Sequence, residues 1–347
     1  MDMDKKIIVG ISIGDLNGIG PEIVLKTFSD PRMFDFCTPV VFASQKAIQF
    51  LKKHLNITTQ TQKVESLDKL VDKKLNIINV WDEPFNFNFG KETSKAGEYA
   101  IKSLKSATEA LKSGKINALL TAPINKSNIQ SDTFTFPGHT DFLAQELKGN
   151  PLMFMVSDEL KIGLLTDHVA VKDVASGITP KVIKDKITTI HESLKKDFRI
   201  RKPKIAVLGI NPHSGDNGVI GQEDDEVLKP TIAELNNNNI LVYGPYAADS
   251  FFGSNNYKKF DAVVASYHDQ GLIPFKTLTF GNGVNYTAGL SEVRTSPDHG
   301  TAYEVAGKGV ADASSFKEAM FTAISIVKHR SEYEALTRDV LKKRKKI

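Results

Sequence analysis

Three of the eight histidines share one kind of position, the end of a strand-like apolar run. His168, His213 and His268 each follow such a run directly or within a few residues. Open α/β sheets bind ligands at the carboxyl ends of their strands, and imidazole is a common metal ligand. The pattern therefore predicts a divalent-metal site with positions left open for a substrate. Because the three form no local motif such as His-Glu-x-x-His, only the fold, or two subunits together, would join them. Each ring taken singly would equally suit a loop hydrogen bond.

Two further groups of residues have the chemistry to hold an anionic substrate. His139 and Thr140 lie in a turn before a predicted helix, where an imidazole and a hydroxyl would bind a phosphate or carboxylate. Thr140 would serve equally well as a helix N-cap. Lys276, Asn285 and Arg294 lie in a glycine-rich stretch, where Lys supplies a point charge and Arg a forked donor. Taken singly, the two cations would also suit a solvated surface.

A glycine-rich segment, residues 14–22, follows the first strand-like run and precedes a helix. Glycines allow backbone N–H groups to approach an anion closely, and a helix start favours negative charge. Candidate substrate- or cofactor-binding residues here are Gly14, Asp15, Asn17 and Gly18. A plain glycine-rich turn between strand and helix would have the same sequence, so the motif alone decides nothing.

Sequence signatures of several other chemistries are missing. No Gly-x-Gly-x-x-Gly follows the first strand-like run, and neither the Gly-x-x-x-x-Gly-Lys-Ser/Thr phosphate loop nor the Gly-x-Ser-x-Gly elbow occurs. The single cysteine, Cys37, has no basic neighbour, which favours a bystander thiol over a nucleophile. One cysteine cannot form an internal disulfide, so we expect a reducing, cytoplasmic location.

The composition is typical of a globular protein. The 347 residues are 25% charged and 41% hydrophobic, and no apolar run approaches the ~20 residues of a membrane span. The polar, acidic start of the chain predicts no signal peptide. The formal net charge is +4, but the basic tail 342–346 supplies this excess, and the rest is close to neutral. We therefore expect no nucleic-acid partner and interpret the tail as a solvated terminus.

Short β-branched runs alternate with helical stretches, which predicts an α/β fold with a largely parallel sheet. Several runs are apolar throughout, as in strands covered on both faces. Predicted strands occupy residues 6–13, 39–43, 76–80, 118–121, 162–166, 204–209, 240–243 and 261–266. Predicted helices occupy residues 94–112, 180–195, 225–236 and 315–329.

Two breaks in this pattern, near residues 136–138 and 279–285, predict a two-lobed chain. The first lobe would be discontinuous, formed by residues 1–135 plus 280–347. The second would span residues 136–279 and carry the three histidines. We expect the active site in the cleft between them.

Seven motifs, taken in chain order, are similar to those of one enzyme family. They lie at residues 14–22, 121–126, 136–140, 211–215, 244–249, 267–271 and 294–301. From about residue 7 to residue 320 the chain resembles the 4-hydroxythreonine-4-phosphate dehydrogenase (PdxA) family of pyridoxal 5'-phosphate biosynthesis. The resemblance implies the two-lobed fold of the isocitrate and isopropylmalate dehydrogenases, whose nicotinamide site lacks the Rossmann glycine pattern.

The same resemblance implies roles for the candidate residues. His168, His213 and His268 would bind a divalent cation (zinc, magnesium or cobalt) at a site shared between the subunits of a homodimer. The substrate-binding side chains would be His139, Thr140, Lys276, Asn285 and Arg294. The chain departs from the family pattern at Leu16-Asn17, where Pro-Ala is common, at Asp141, usually Glu, and at Asp167, often Thr. None removes a ligand, but Asp167 adds a negative charge beside the metal.

The implied reaction is oxidation of 4-phosphooxy-L-threonine by NAD or NADP, followed by decarboxylation to 3-amino-2-oxopropyl phosphate and CO2. A base must take the hydroxyl proton, and Lys276, Asp249 and Asp269 are the candidates. One alternative is a dehydrogenase of the same family that acts on threonate or erythronate 4-phosphate. Others are a metal-dependent phosphohydrolase, which would release phosphate without reducing nicotinamide, and a non-catalytic sugar-phosphate-binding protein.

Overall fold

A twelve-stranded sheet runs through the computed structural model, which describes residues 6–132 and 134–338. The strands are β1 (Ile8–Ser12), β2 (Thr38–Ala43), β3 (Thr61–Val64), β4 (Leu75–Asn79), β5 (Ala118–Thr121), β6 (Gly149–Val156), β7 (Lys161–Leu164), β8 (Lys204–Leu208), β9 (Leu241–Tyr246), β10 (Ala262–Ala265), β11 (Val284–Leu290) and β12 (Val293–Pro297). They lie in the order β3-β4-β2-β1-β5-β12-β11-β6-β7-β10-β8-β9. The predicted α/β architecture with a mostly parallel sheet is confirmed.

The two halves of the sheet are each parallel, and they meet at an antiparallel centre. Strand β11 pairs antiparallel with β12 and with β6, and β6 pairs antiparallel with β7. The strands of the two halves therefore point in opposite directions. A site that uses both halves must lie over the middle of the sheet rather than along one edge. The division into lobes 1–135 plus 280–347 and 136–279 stays a prediction.

Helices cover the sheet. They are α1 (Gly20–Thr27), α2 (Gln45–His54), α3 (Ser94–Lys112), α4 (His139–Glu146), α5 (Val174–Gly177), α6 (Pro180–Lys196), α7 (Lys229–Asn237), α8 (Ala248–Gly253), α9 (His268–Leu278) and α10 (Ser314–Thr337). The hydroxyls of Thr93 and Thr179 accept from backbone N–H groups in the first turns of α3 and α6, as helix caps do. Just beyond α3, Gly114 adopts a φ of 68°, the left-handed conformation that commonly ends a helix.

All eight predicted strands are present, and four further strands were not predicted. These are β3, β6, β11 and β12. Strands β11 and β12 carry polar side chains such as Asn285 and Arg294 on a buried part of the sheet, so they lack the apolar run that marks a buried strand. The four predicted helices are present, but the helix expected at 225–236 begins with a π-helical turn, Asp224–Leu228.

The structure bears on three expectations, which concern the single cysteine, membrane spans and the basic tail. Cys37 is 1% exposed, and burial raises the pKa of its thiol to about 12, as suits a bystander. Across residues 6–132 and 134–338, no helix is both long and apolar enough for a bilayer crossing. The basic tail 342–346 lies outside the described residues.

A buried ion pair joins α10 to the end of α6. Arg330 Nε donates to Asp197 Oδ1 at 2.6 Å, and the two side chains are 9% and 2% exposed. The second carboxylate oxygen accepts from Tyr286 and Ser193, both at 2.7 Å. Arg330 also donates to the Tyr286 hydroxyl at 2.8 Å. Because every partner is satisfied, removing one leaves a buried charge uncompensated.

We therefore expect Asp197→Ala to lower the free energy of unfolding by about 3–5 kcal/mol. Glu332→Ala is the matched control, because Glu332 forms an exposed ion pair with Arg199 in the same region. That change should cost no more than about 1 kcal/mol. Urea denaturation of the two variants measures the difference. Equal effects would mean that the buried network contributes no more than a surface pair.

Candidate functional site

One cavity of about 650 Å³ gathers most of the predicted substrate residues. Its volume suits a small ligand. Alternate residues of the central strands β5, β12, β11 and β6 line it, because strand side chains alternate between faces. These are Thr121, Arg294, Ser296, Asn285, Met153 and Met155. The turn before α4 and the residues that follow β7 and β10 complete the lining, so both halves of the sheet contribute.

Arg294 is a buried cation in this lining. It is 2% exposed, and its guanidinium donates to Thr121 Oγ1 at 2.7 and 3.2 Å and to Thr287 Oγ1 at 3.1 Å. Burial lowers the pKa of Arg294 to about 9, so the group stays charged at neutral pH. Its hydrogen-bond partners in the described chain are neutral hydroxyls. An uncompensated buried charge is costly, so this position favours binding of an anion.

His139 and Thr140 lie beside this cation in the first turn of α4, and both line the cavity. Gly138 is the N-cap of the helix, so the alternative role of Thr140 as N-cap is wrong. His139 Nε2 is buried and has no hydrogen-bond partner among the described residues. Burial, then the charges of Arg294 and Lys126, hold the pKa of His139 well below its usual value. The ring is therefore a neutral group at physiological pH.

We expect this low pKa to make the protein less stable as the pH falls below about 6.5, the ordinary histidine value. In that range the unfolded chain binds a proton that the folded protein excludes, so unfolding becomes more favourable. The loss levels off once the pH passes the folded pKa. His139→Gln cannot titrate and should lose less unfolding free energy between about pH 7.5 and pH 5. Equal losses for variant and parent in chemical denaturation would contradict the assignment.

Two of the three predicted metal histidines lie together. The ring centroids of His168 and His268 are 5.7 Å apart, and both rings line the cavity. Asp269 Oδ1 accepts from His268 Nδ1 at 2.7 Å, which leaves Nε2 free as a ligand atom. Burial, then the Lys126 charge, lowers the pKa of His168, which favours the neutral form that binds metals.

His213 does not join them within one chain. It is exposed in the turn Pro212–Gly215 and is not part of the cavity lining. Strand order alone would bring it close, because β8 pairs directly with β10. His213 instead lies in a turn after β8, where its own backbone is left-handed, with a φ of 54°. Within the described ranges of one chain, no three His, Cys, Asp or Glu side chains are grouped to hold a metal ion.

The remaining predicted residues separate into those that reach the cavity and those that do not. Lys276 and Asn285 line it; Lys276 Nζ donates to the Asp298 carbonyl at 3.3 Å, and Asn285 Oδ1 is buried with no partner in the described chain. Asp249 is exposed on α8, outside the lining. Asp269 is hydrogen-bonded to His268 and is not part of the lining.

The glycine-rich segment also stays outside the cavity lining. Asp15 Oδ2 accepts from Asn128 Nδ2 at 2.7 Å and from the Tyr303 hydroxyl at 2.9 Å. Asn17 Oδ1 accepts from a backbone N–H at 2.9 Å, and its amide donates within the protein. A Cβ at Gly18 would lie 2.9 Å from the Thr301 carbonyl oxygen. In one chain this segment packs against the loops around the site, and its role in binding substrate or cofactor stays a prediction.

Several residues of the lining were not among the candidates from the sequence, and they include the polar side chains of Thr121, Lys126, Ser296 and His299. His299 Nδ1 lies 3.1 Å from the Gly300 carbonyl oxygen, and its Nε2 is buried with no partner in the described chain. All four fall inside the quoted motifs 121–126 and 294–301. Those motifs indicated that their residues belong to a functional site. They did not show which of the side chains face the cavity.

Comparisons with known proteins show the family to which the chain belongs. The family described as "Pyridoxal phosphate biosynthetic protein PdxA" matches residues 35–323. A 4-hydroxythreonine-4-phosphate dehydrogenase of Bacteroides thetaiotaomicron is 43% identical over 342 residues, which are 98% of this chain and 94% of that one. A putative D-threonate 4-phosphate dehydrogenase of Oceanobacillus iheyensis is 37% identical over 93% of this chain and 99% of its own.

A solved structure shows the same fold. The crystal structure of a 4-hydroxythreonine-4-phosphate dehydrogenase from Burkholderia phymatum aligns with a TM-score of 0.77 and 34% identity, covering 93% of this chain and 99% of that one. The family match covers most of the chain, and the relatives align over nearly their whole lengths. The chain belongs to the PdxA family.

Proposed function

We propose that this protein oxidises 4-phosphooxy-L-threonine with NAD or NADP and releases CO2 to leave 3-amino-2-oxopropyl phosphate. The main support is the buried, charged Arg294, which lines a cavity of about 650 Å³ together with a pair of adjacent imidazoles. The first feature suits an anionic substrate and the second a divalent cation. Family membership and the names of the relatives support this substrate.

The substrate would be held by its charged groups. Arg294, Lys276, His139, Thr140 and Asn285 offer a guanidinium, an amine, an imidazole, a hydroxyl and an amide to one cavity. Charge-assisted hydrogen bonds from a group such as the guanidinium are roughly twice as strong as neutral ones. We propose that all five bind the substrate: Arg294, His139, Thr140 and Asn285 hold the phosphate and carboxylate, and Lys276, as a neutral amine, contacts the hydroxyl group.

The two adjacent imidazoles would form part of a divalent-cation site if a second subunit supplied a further ligand. Exposed apolar side chains follow each histidine closely: Val169 and Val171 after His168, Val219 and Ile220 after His213, and Ile273 after His268. Exposed apolar patches commonly mark protein interfaces. We propose a homodimer in which His168 and His268 of one protomer and the partner's His213 hold the cation. A cation there would supply Lewis-acid stabilisation of developing negative charge on oxygen.

The substrate hydroxyl must lose a proton while its carbon loses a hydride. A nicotinamide cofactor supplies the hydride acceptor. Of the three candidate bases only Lys276 lines the cavity, whereas Asp249 is exposed and Asp269 is hydrogen-bonded to His268. We propose Lys276 as the base. Loss of CO2 then leaves the bond electrons on the ketone side of the molecule, where a proton is taken up.

The test is a substrate panel with purified enzyme, NAD or NADP, and a divalent cation, each run with and without a chelator. We expect reduced-nicotinamide absorbance and CO2 with 4-phosphooxy-L-threonine, and loss of both on chelation. Reduction with threonate or erythronate 4-phosphate alone would favour the second candidate, which the Oceanobacillus relative supports. Phosphate release without reduction would favour a phosphohydrolase.

The proposed setting is that of a cytoplasmic enzyme without nucleic-acid or membrane partners. Its support is the single buried thiol of Cys37, which suits a reducing compartment, and the near-neutral charge of the chain before its basic tail. Light scattering of the purified protein tests the dimer, and a monomer at assay concentrations would contradict it.

A further inference from the structure

Lys126 is a further cation in the lining of the cavity. It follows β5 in a turn that the Asn125 side chain fixes, since Asn125 Oδ1 accepts from the backbone N–H groups of Ser127 and Asn128 at 2.8 and 3.3 Å. Lys126 itself is exposed and lines the cavity. Within the described chain its ammonium group makes no hydrogen bond or ion pair. A rigid turn thus presents an uncompensated positive charge to the ligand space.

The position of this charge along the cavity can be read from its neighbours. A Cβ built on Gly138, the cap of α4, would lie 3.7 Å from Lys126 Cε. This places the lysine stem over the turn that carries His139. Lys126 shares the cavity lining with both His139 and His168, and its charge contributes to the low pKa of each ring.

A phosphate dianion is stabilised best by more than one cation. Arg294 already uses three donor contacts on threonine hydroxyls, and His139 beside it is neutral. Lys276 donates to the Asp298 carbonyl, in the loop after β12. The second charge nearest to the His139 turn is therefore Lys126.

We infer that Lys126 binds the phosphoryl group of the substrate, as a second cation beside Arg294. The inference rests on the proposed function only for the identity of the substrate, because it assigns Lys126 to an oxyanion in this cavity. The ammonium would donate to a phosphoryl oxygen from the side of the cavity that faces the metal histidines.

The first test measures equilibrium binding of inorganic phosphate to the purified full-length protein by calorimetry, without nicotinamide and so without turnover. Lys126→Met should weaken binding about tenfold or more, as for loss of one hydrogen bond to a charged group. Lys126→Arg should retain most of the affinity. Lys115→Met removes an exposed lysine outside the lining and should leave it unchanged. Equal affinity for Lys126→Met and the parent would overturn the inference, even if the enzyme were fully active.

The second test uses the phosphate-free analogue, 4-hydroxy-L-threonine, beside the phosphorylated substrate. In the parent enzyme, kcat/KM should be higher for the phosphorylated substrate than for the analogue. Lys126→Met should lower kcat/KM for the phosphorylated substrate and change it little for the analogue, so that a large part of the difference is lost. An equal loss for both substrates would assign Lys126 to the reacting carbons and overturn the inference. If the parent enzyme reduced no nicotinamide with any substrate, the proposed function would be wrong. The calorimetric phosphate titration would still test whether Lys126 binds phosphate, because it does not depend on activity.

Discussion

Arg294→Met is expected to lower kcat/KM about a thousandfold while leaving the ligand-free protein as stable as its parent. Removing one partner of a buried, hydrogen-bonded charge pair costs about 2–5 kcal/mol, and 4 kcal/mol corresponds to about 10³ in rate. That loss appears only when the anion is bound. In the free protein the guanidinium is 2% exposed, with neutral hydroxyl partners, so its removal relieves a desolvation cost.

Steady-state kinetics and thermal denaturation of the same sample measure both effects. Arg294→Lys is the matched variant, because it keeps the charge and loses the forked geometry. We expect its kcat/KM to lie between those of parent and Arg294→Met. Saturating phosphate should raise the melting temperature of the parent more than that of Arg294→Met, since ligands stabilise the state that binds them. A kcat/KM within tenfold of the parent for Arg294→Met would remove Arg294 from the anion site.

Two inactive variants are expected to restore activity to each other when their subunits are mixed. His213→Ala and His268→Ala should each lose bound metal and at least about 10³ of turnover, because metal Lewis acidity contributes several kcal/mol. If each site takes His268 from one protomer and the partner's His213, a mixed dimer contains one intact site and one doubly altered site. Random reassortment then gives about a quarter of the parent activity.

The control is the mixture of His168→Ala with His268→Ala. The rings of these two residues lie 5.7 Å apart in one chain, so every site of that mixed dimer lacks one ligand and no activity should return. Recovery in the control alone, or in neither mixture, would contradict the shared site. Metal content by elemental analysis should follow activity in each sample, and circular dichroism should show that the variants remain folded.

Local sequence patterns were sufficient for most of the secondary structure. The spacing of apolar residues predicts a helix over residues 94–112, with Thr93 or Ser94 as its cap, and the structure has the same bounds with Thr93 as the cap. Strand 118–121 was likewise predicted from a short apolar run. Both signals depend on neighbours in the chain, so they can be read without the fold. The sequence pattern did not predict strands β11 and β12. Their cavity-facing positions carry polar side chains, whereas a buried strand normally has apolar side chains there.

In the candidate site, too, the sequence predicted the placement of some residues and not of others. Strand-end positions brought His168 and His268 together as expected, because β7 and β10 are adjacent in the sheet. The pattern did not show that the turn after β8, although β8 also pairs with β10, leaves His213 exposed and outside the cavity lining. It also could not show that Asp249 is exposed while Lys276 lines the cavity, since that depends on how α8 and α9 pack.

The sequence by itself determined the family, the α/β class and the chemical identity of the candidate ligands, because these reside in residue types and in motifs of a few neighbouring positions. The tertiary structure decided which of those residues share one cavity. Pairing between distant strands, with the antiparallel centre formed by β6, β11 and β12, places Arg294 and Asn285 opposite the histidines of the other half-sheet. The pairs β6–β11 and β5–β12 join segments more than a hundred residues apart in the chain, and no local pattern encodes them.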